Sequence, residues 1–141
     1  MSMLEVKSLT KDYLLGKTTV HALRGVNLTI DKGEFMTIAG PSGSGKTTLL
    51  NIIGCLDKPT AGHVSLDGTD IDKLSESAKT RLRREKLGFI FQTFNLIPVL
   101  TAFENVELPL LLLKKDKAFR FERVRTVMEM VGLIEFARHR P

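Results

Sequence analysis

The sequence predicts an α/β fold with an antiparallel β subdomain attached to it, on three observations. First, Gly40-Pro41-Ser42-Gly43-Ser44-Gly45-Lys46-Thr47-Thr48 fits the pattern G-x-x-x-x-G-K-[ST], a glycine loop whose backbone N–H groups can cradle a phosphate. Second, residues 34–39 before it read as a short buried strand, and residues 46–54 after it as a helix with Leu49, Leu50, Ile52 and Ile53 on its apolar side. Third, the segments upstream are closely spaced strands joined by short turns, which is an antiparallel pattern. The strand that enters the glycine loop is expected instead in a parallel core.

Taken in order, residues 3–8 alternate weakly and read as a strand, residues 19–23 as a second, and residues 26–30 as a third with Val26, Leu28 and Ile30 on one face. Asp31-Lys32-Gly33 turns the chain into the fourth, which leads to the loop. At the loop, glycines lack a Cβ and can take positive φ, so the backbone can close around an anion. The N–H groups of the loop and first helical turn then face that anion, and the helix dipole adds to the attraction. By this motif Lys46 reaches the β- and γ-phosphates and the Thr47 hydroxyl binds Mg²⁺. A glycine-rich turn that precedes a helix by chance would not require the flanking strand and helix to agree as well.

Residues 57–62 form a turn cluster, residues 63–66 a strand, and Asp67-Gly68 a hairpin-like turn, so this strand is expected to pair with the early antiparallel ones. Ser75 is an N-cap for a helix reaching about Glu85. Residues 87–91 read as a buried strand, ended by Gln92. Beyond it the chain turns helical. Residues 94–98 are a loop, Thr101 caps a helix that Pro109 should end or kink, and residues 114–117 are a charged linker. Phe121, Val124, Met128 and Val131 then mark one face of a last helix, with Gly132 placed to terminate it.

The chain has 141 residues, 43% hydrophobic and 26% charged, which is the composition of a soluble globular domain. It has no run of about 18 apolar residues, so no membrane span is expected, and no signal pattern at its start, so a cytosolic chain is expected. A net charge of +5 raises the question of nucleic acid, but the basic residues are spread out. The densest group, Lys79, Arg81, Arg83, Arg84 and Lys86, lies on a predicted helix with Glu76 and Glu85 and reads as a solvated face. His21, His63 and His139 show no metal-ligand spacing, and the single cysteine, Cys55, reads as a small buried hydrophobe.

With these residues in view, the sequence resembles the ATP-binding subunit of ABC transporters, most closely the branch serving lipoprotein release and macrolide export, over the whole chain. Residues 40–48 match the family's Walker A loop. Tyr13 in Lys11-Asp12-Tyr13 resembles the aromatic that stacks on adenine, and Val20 falls where the family packs an apolar residue near the nucleotide. Gln92 in Phe89-Ile90-Phe91-Gln92 resembles the glutamine that reaches Mg²⁺ and the attacking water at the hinge to a helical subdomain.

The resemblance implies an incomplete P-loop NTPase of ABC type. Residues 1–92 would be the N-terminal part of the ATP-binding core with its antiparallel β subdomain, and residues 93–141 part of a helical, permease-coupling subdomain. It implies ATP and Mg²⁺ as cofactors. ATP would be held by Tyr13, Val20, Gly40, Pro41, Ser42, Gly43, Ser44, Gly45, Lys46, Thr47 and Thr48; Lys46 and Gln92 would be catalytic, and Thr47 and Gln92 would hold the metal. The implied partners are an integral membrane permease and a second ATP-binding subunit, without nucleic acid, at the cytoplasmic face of the plasma membrane. The implied work is ATP hydrolysis coupled to transport, with export the expected direction. Apolar residues such as Phe94, Leu96, Ile97 and Phe103 would in part face the permease.

The family pattern continues into an LSGGQ signature and a Walker B strand with its acid and general base, none of which is in this sequence. The chain is therefore expected to be a truncated N-terminal part, inactive in hydrolysis by itself, since phosphoryl transfer needs the charge neutralised and the water oriented. Two alternatives follow. One is a non-hydrolysing nucleotide-binding or interaction module. The other is a DNA-associated ABC ATPase, disfavoured because the sequence shows neither heptads nor cysteine clusters.

Overall fold

A computed structural model describes residues 2–141, and their contacts divide the chain into two compact units, Met1–Leu87 and Gly88–Pro141. In the first unit, β1 (Ser2–Leu15) pairs antiparallel with β2 (Thr18–Asp31) on one side and with β3 (Ala61–Leu66) on the other. The short β4 (Thr69–Asp70) completes a four-stranded sheet in the order β2-β1-β3-β4. Helix α1 (Lys46–Ile53) packs on this sheet through Leu49 and Ile52, against Leu4, Val6, Leu9, Leu23 and Val64.

The alternation that buries Leu4 and Val6 would place Ser8, not Leu9, in the core. A bulge corrects it. Ser8 takes φ +49°, the register with β2 shifts between Val6 and Leu9, and the bulged Ser8 amide donates to Asn27 Oδ1 at 2.8 Å. Leu9 is thereby fully buried. The second and third strands read from the sequence are one strand, β2. The interruption at Arg24-Gly25 is absorbed by Gly25 at φ +81°, and pairing with β1 resumes on both sides. The Asp67-Gly68 turn forms as expected, with both residues at positive φ.

Two expected strands are corrected. Residues 34–39 and residues 87–91 form no ladder among the described residues. Phe35 is 93% exposed and Ile90 fully so. A strand exists only through its hydrogen-bonded neighbours, and all the neighbours formed here belong to the antiparallel sheet. The parallel layer expected around the glycine loop is therefore not assembled among the described residues.

Helix α2 (Glu76–Lys86) starts at Ser75, whose hydroxyl accepts from the Ala78 amide. Its basic cluster is not uniformly solvated. Lys79 is buried with its ammonium 3.5 Å from Glu76, and Arg83 donates to the Cys55 carbonyl at 2.6 Å and to Thr80 Oγ1 at 2.9 Å. Arg81, Arg84 and Lys86 remain exposed. Cys55 is buried in the core just past the end of α1, where burial pushes its thiol up in pKa.

In the second unit, α3 (Ala102–Leu112) packs beside α4 (Lys117–Met130). Thr101 and Glu104 form a reciprocal capping box on α3. The first amides of α3 also donate to backbone carbonyls near the C-terminus, Ala102 to His139 and Phe103 to Ala137. Pro109 does not end α3, which runs on to Leu112. Asp116 caps α4, Val124 and Met128 are its buried residues, and Arg120 pairs with Glu107 at 2.7 Å. Phe121 and Val131, expected on the same face, stay more than half exposed. Among the described residues no helix is long and apolar enough to cross a membrane.

Candidate functional site

The glycine loop occupies residues 40–48 of the first unit and opens into α1. Gly45 is the N-cap of that helix, at φ +88° and ψ 3°, a conformation available to glycine without strain. A Cβ at this position would meet the Ala22 carbonyl oxygen at 2.4 Å. The loop thus lies against β2 at a point where only glycine fits. Because the N-cap has no side chain, no side-chain oxygen caps the first amides of α1. They are left to an external acceptor, and the helix dipole favours a negative one.

The Lys46 side chain folds back over the loop. Its ammonium donates to the Gly40 and Pro41 carbonyls, each at 2.8 Å, and to Ser44 Oγ at 3.3 Å. These acceptors hold the charge above the loop. Thr47 is exposed in the first turn, and Ser42 and Ser44 are exposed on the loop. The donor set is a lysine, hydroxyls and free amides on a loop pressed so closely against β2 that a Cβ at Gly45 would not fit. It fits a triphosphate, and the Thr47 hydroxyl is a hard oxygen ligand of the kind Mg²⁺ takes.

The same unit brings Tyr13 and Val20 together. They are direct partners in the β1–β2 ladder, so their side chains share one face of the hairpin, with Val20 42% exposed. Tyr13 Oη donates to Asp57 Oδ2 at 2.6 Å, and Lys11 donates to Asp57 Oδ1 at 2.7 Å while its ammonium lies 4.7 Å from the Tyr13 ring centroid. The hydrogen bond to the Asp57 carboxylate, and after it burial, holds the Tyr13 phenol above its ordinary pKa; the Thr48 hydroxyl and the Lys11 charge oppose this. Burial by itself would raise the Asp57 carboxyl, but hydrogen bonds from Lys11, Tyr13 and the Lys58 amide outweigh it and hold Asp57 below the usual carboxylate range.

Gln92 belongs to the second unit, where it is exposed in a bend. The first unit therefore gathers Tyr13, Val20 and residues 40–48, and Gln92 is not among them. Lys11 and Asp57 escaped the sequence reading. Lys11 lies two residues before Tyr13, hence on the same strand face, which is a signal that was present. Asp57 is 44 residues from Tyr13 and reads as one more turn residue.

Comparison with known proteins gives a consistent picture. The sequence profile of the ABC transporter family matches residues 23–141. An uncharacterized ABC transporter ATP-binding protein, MJ0796 of Methanocaldococcus jannaschii, is 49% identical over 99% of this chain. The macrolide export ATP-binding/permease protein MacB of Bdellovibrio bacteriovorus is 42% identical over 98% of it. This chain spans 61% of the first of these relatives and 21% of the second. A solved dimer of the MJ0796 cassette bound to ADP and Pi superposes with a TM-score of 0.90 over 99% of this chain and 62% of that one. The fold class is thus that of an ABC cassette, with only its antiparallel sheet formed among the described residues.

Proposed function

The chain belongs to the ABC transporter family, and from that premise we propose that it binds MgATP as the N-terminal part of a transporter's ATP-binding subunit. The observation that carries this is Gly45, a left-handed N-cap wedged against β2, which leaves the amides of α1 free beneath a lysine already folded over the loop.

In this reading Lys46 exchanges the Gly40 and Pro41 carbonyls for β- and γ-phosphate oxygens, a charge-assisted contact. The amides of residues 43–48 hold the remaining phosphate oxygens. Thr47 holds Mg²⁺, whose charge neutralises the phosphates when bound. Tyr13 and Val20 take the base. Gln92 is assigned the coupling of the metal site to the permease side. Hydrolysis, dimerisation with a second ATP-binding subunit, and docking at the cytoplasmic face of a membrane permease are proposed for the whole protein. The dimeric cassette with ADP and Pi supports the first two, and the macrolide export relatives support an exporter.

The test is nucleotide affinity. Lys46→Ala should weaken MgATP binding about 10- to 100-fold by titration calorimetry, the size expected for a charged hydrogen-bonding partner. Lys32→Ala, in an exposed turn, is the control. Equal affinities for wild type and Lys46→Ala would overturn the proposal. Phosphate release is a separate readout. We expect binding without turnover from the 141-residue chain, because the groups gathered at the loop are hydroxyls, amides and one ammonium, none of them a base that orients water.

A further inference from the structure

The Tyr13 side chain is held by Asp57 at its hydroxyl and by Lys11 over its ring, two residues that also tie the turn after α1 to β1. The chain leaves α1 through Cys55 at φ +58°, and the Asn51 carbonyl accepts from both the Leu56 and Asp57 amides, at 2.7 and 3.2 Å. The turn that follows is stitched to β1. The Thr60 amide donates to the Thr10 carbonyl at 2.9 Å, and Thr60 Oγ1 accepts from the Asp12 amide at 2.9 Å. These bonds set Asp57 beneath the end of β1. There its two oxygens are divided: Oδ2 accepts from Tyr13, and Oδ1 accepts from Lys11 and from the Lys58 amide at 2.7 Å. Lys11 also donates to the Lys58 carbonyl at 2.6 Å. The Lys11 and Asp57 side chains are only 12% and 27% exposed, so the pair is shielded from salt and solvent more than a surface ion pair is.

A free tyrosine at a strand end must lose rotamer freedom when a base stacks on it. Here that freedom is already gone. The hydroxyl anchor fixes the far end of the ring, and the ammonium over one face fixes its tilt and occupies that face. We propose that Asp57 and Lys11 are positioning residues for base recognition: they pre-organise Tyr13 so that only the ring face opposite Lys11 is offered to a flat purine. The proposal rests on the reading of Tyr13 as the residue that stacks on the base.

Tyr13 is the only tyrosine of the chain, which has no tryptophan, so ultraviolet absorbance titrates this ring alone. The wild-type phenol should ionise above the ordinary value of about 10 and fall toward it in Asp57→Ala. The second readout is the ratio of affinities for MgATP and for magnesium tripolyphosphate, which isolates the base. Asp57→Ala and Lys11→Met should each lower this ratio about three- to tenfold, as expected when a side chain must be ordered on binding. Asp57→Asn, which keeps an acceptor for the hydroxyl but drops the charge, should fall between. It also serves as the deciding variant if Asp57→Ala does not fold. An aspartate that only supported the fold would weaken both ligands alike and leave the ratio unchanged.

Two results overturn the proposal: a wild-type ring that ionises at the ordinary value, or an unchanged ratio in the Asp57 variants while Tyr13→Ala lowers it. If Tyr13→Ala leaves the ratio unchanged as well, the stacking reading has failed and the positioning role falls with it.

Discussion

Gly45 and Gly43 share a left-handed conformation, at φ +88° and +79°, but not a neighbourhood. Alanine at Gly43 meets nothing within 4 Å, so Gly43→Ala should cost only the backbone strain, about 1 kcal/mol. Alanine at Gly45 pays the same strain and also drives Cβ to 2.4 Å from the Ala22 carbonyl, which must move with β2. Gly45→Ala should therefore cost about 2–4 kcal/mol, since the strain adds to the displacement of β2 beside the buried Leu23. Urea unfolding of the two variants checks this, and equal midpoints would mean the loop does not press on β2. The loop was legible in the sequence because its chemistry is local: every residue of the cradle lies within nine consecutive positions. The Tyr13 anchor was not, because Lys11, Asp57 and the turn that carries Asp57 meet only once β1 has paired with β3 and the chain has left α1. No spacing in the sequence encodes that meeting.

The helices were legible for the same local reason. Ser75 and Thr101 start α2 and α3 where a cap was expected, and Gly132 follows the end of α4 at φ +69°. Thr101 accepts from the Glu104 amide while Glu104 returns a bond to the Thr101 amide at 2.7 Å. Thr101→Ala removes one half of this box, and α3 should lose about 1 kcal/mol, read as earlier amide exchange in its first turn. The His139 and Ala137 carbonyls still hold the Ala102 and Phe103 amides, so the loss should stay confined to that turn. Exchange spreading through α4 would show that the box holds the whole second unit. Strands behaved differently. The apolar runs at 34–39 and 87–91 declare what they could bury, and β propensity expresses little more than that. Neither names a partner, and both segments are unpaired among the described residues. Pro109, expected to end or kink α3, does not end it: one missing amide weakens a helix without deciding its end when residues 110–112 continue as helix.

At the scale of the molecule, those two unpaired segments and the loop after the second leave apolar side chains in water. Phe35 stands out from the first unit, and Ile90, Phe91 and Phe94 from the second, all at least half exposed. Large apolar side chains left this exposed favour association with other apolar surface. The chain spans 61% of its relative MJ0796, whose cassette was solved as a dimer. For the 141-residue chain the consequence is measurable. It should bind the apolar dye ANS and self-associate, as exposed apolar surface does. Phe35→Ser and Ile90→Ser should each reduce dye binding and light scattering. Because both side chains are exposed, each substitution should change unfolding stability by less than about 0.5 kcal/mol. A core residue would give the opposite signature. Removing it would lower stability by several kcal/mol, about 3–5 for a buried phenylalanine, and raise dye binding as the core loosens. If Phe35→Ser destabilises in that way, residues 34–39 are packed in solution, and the parallel layer assembles from this chain without help.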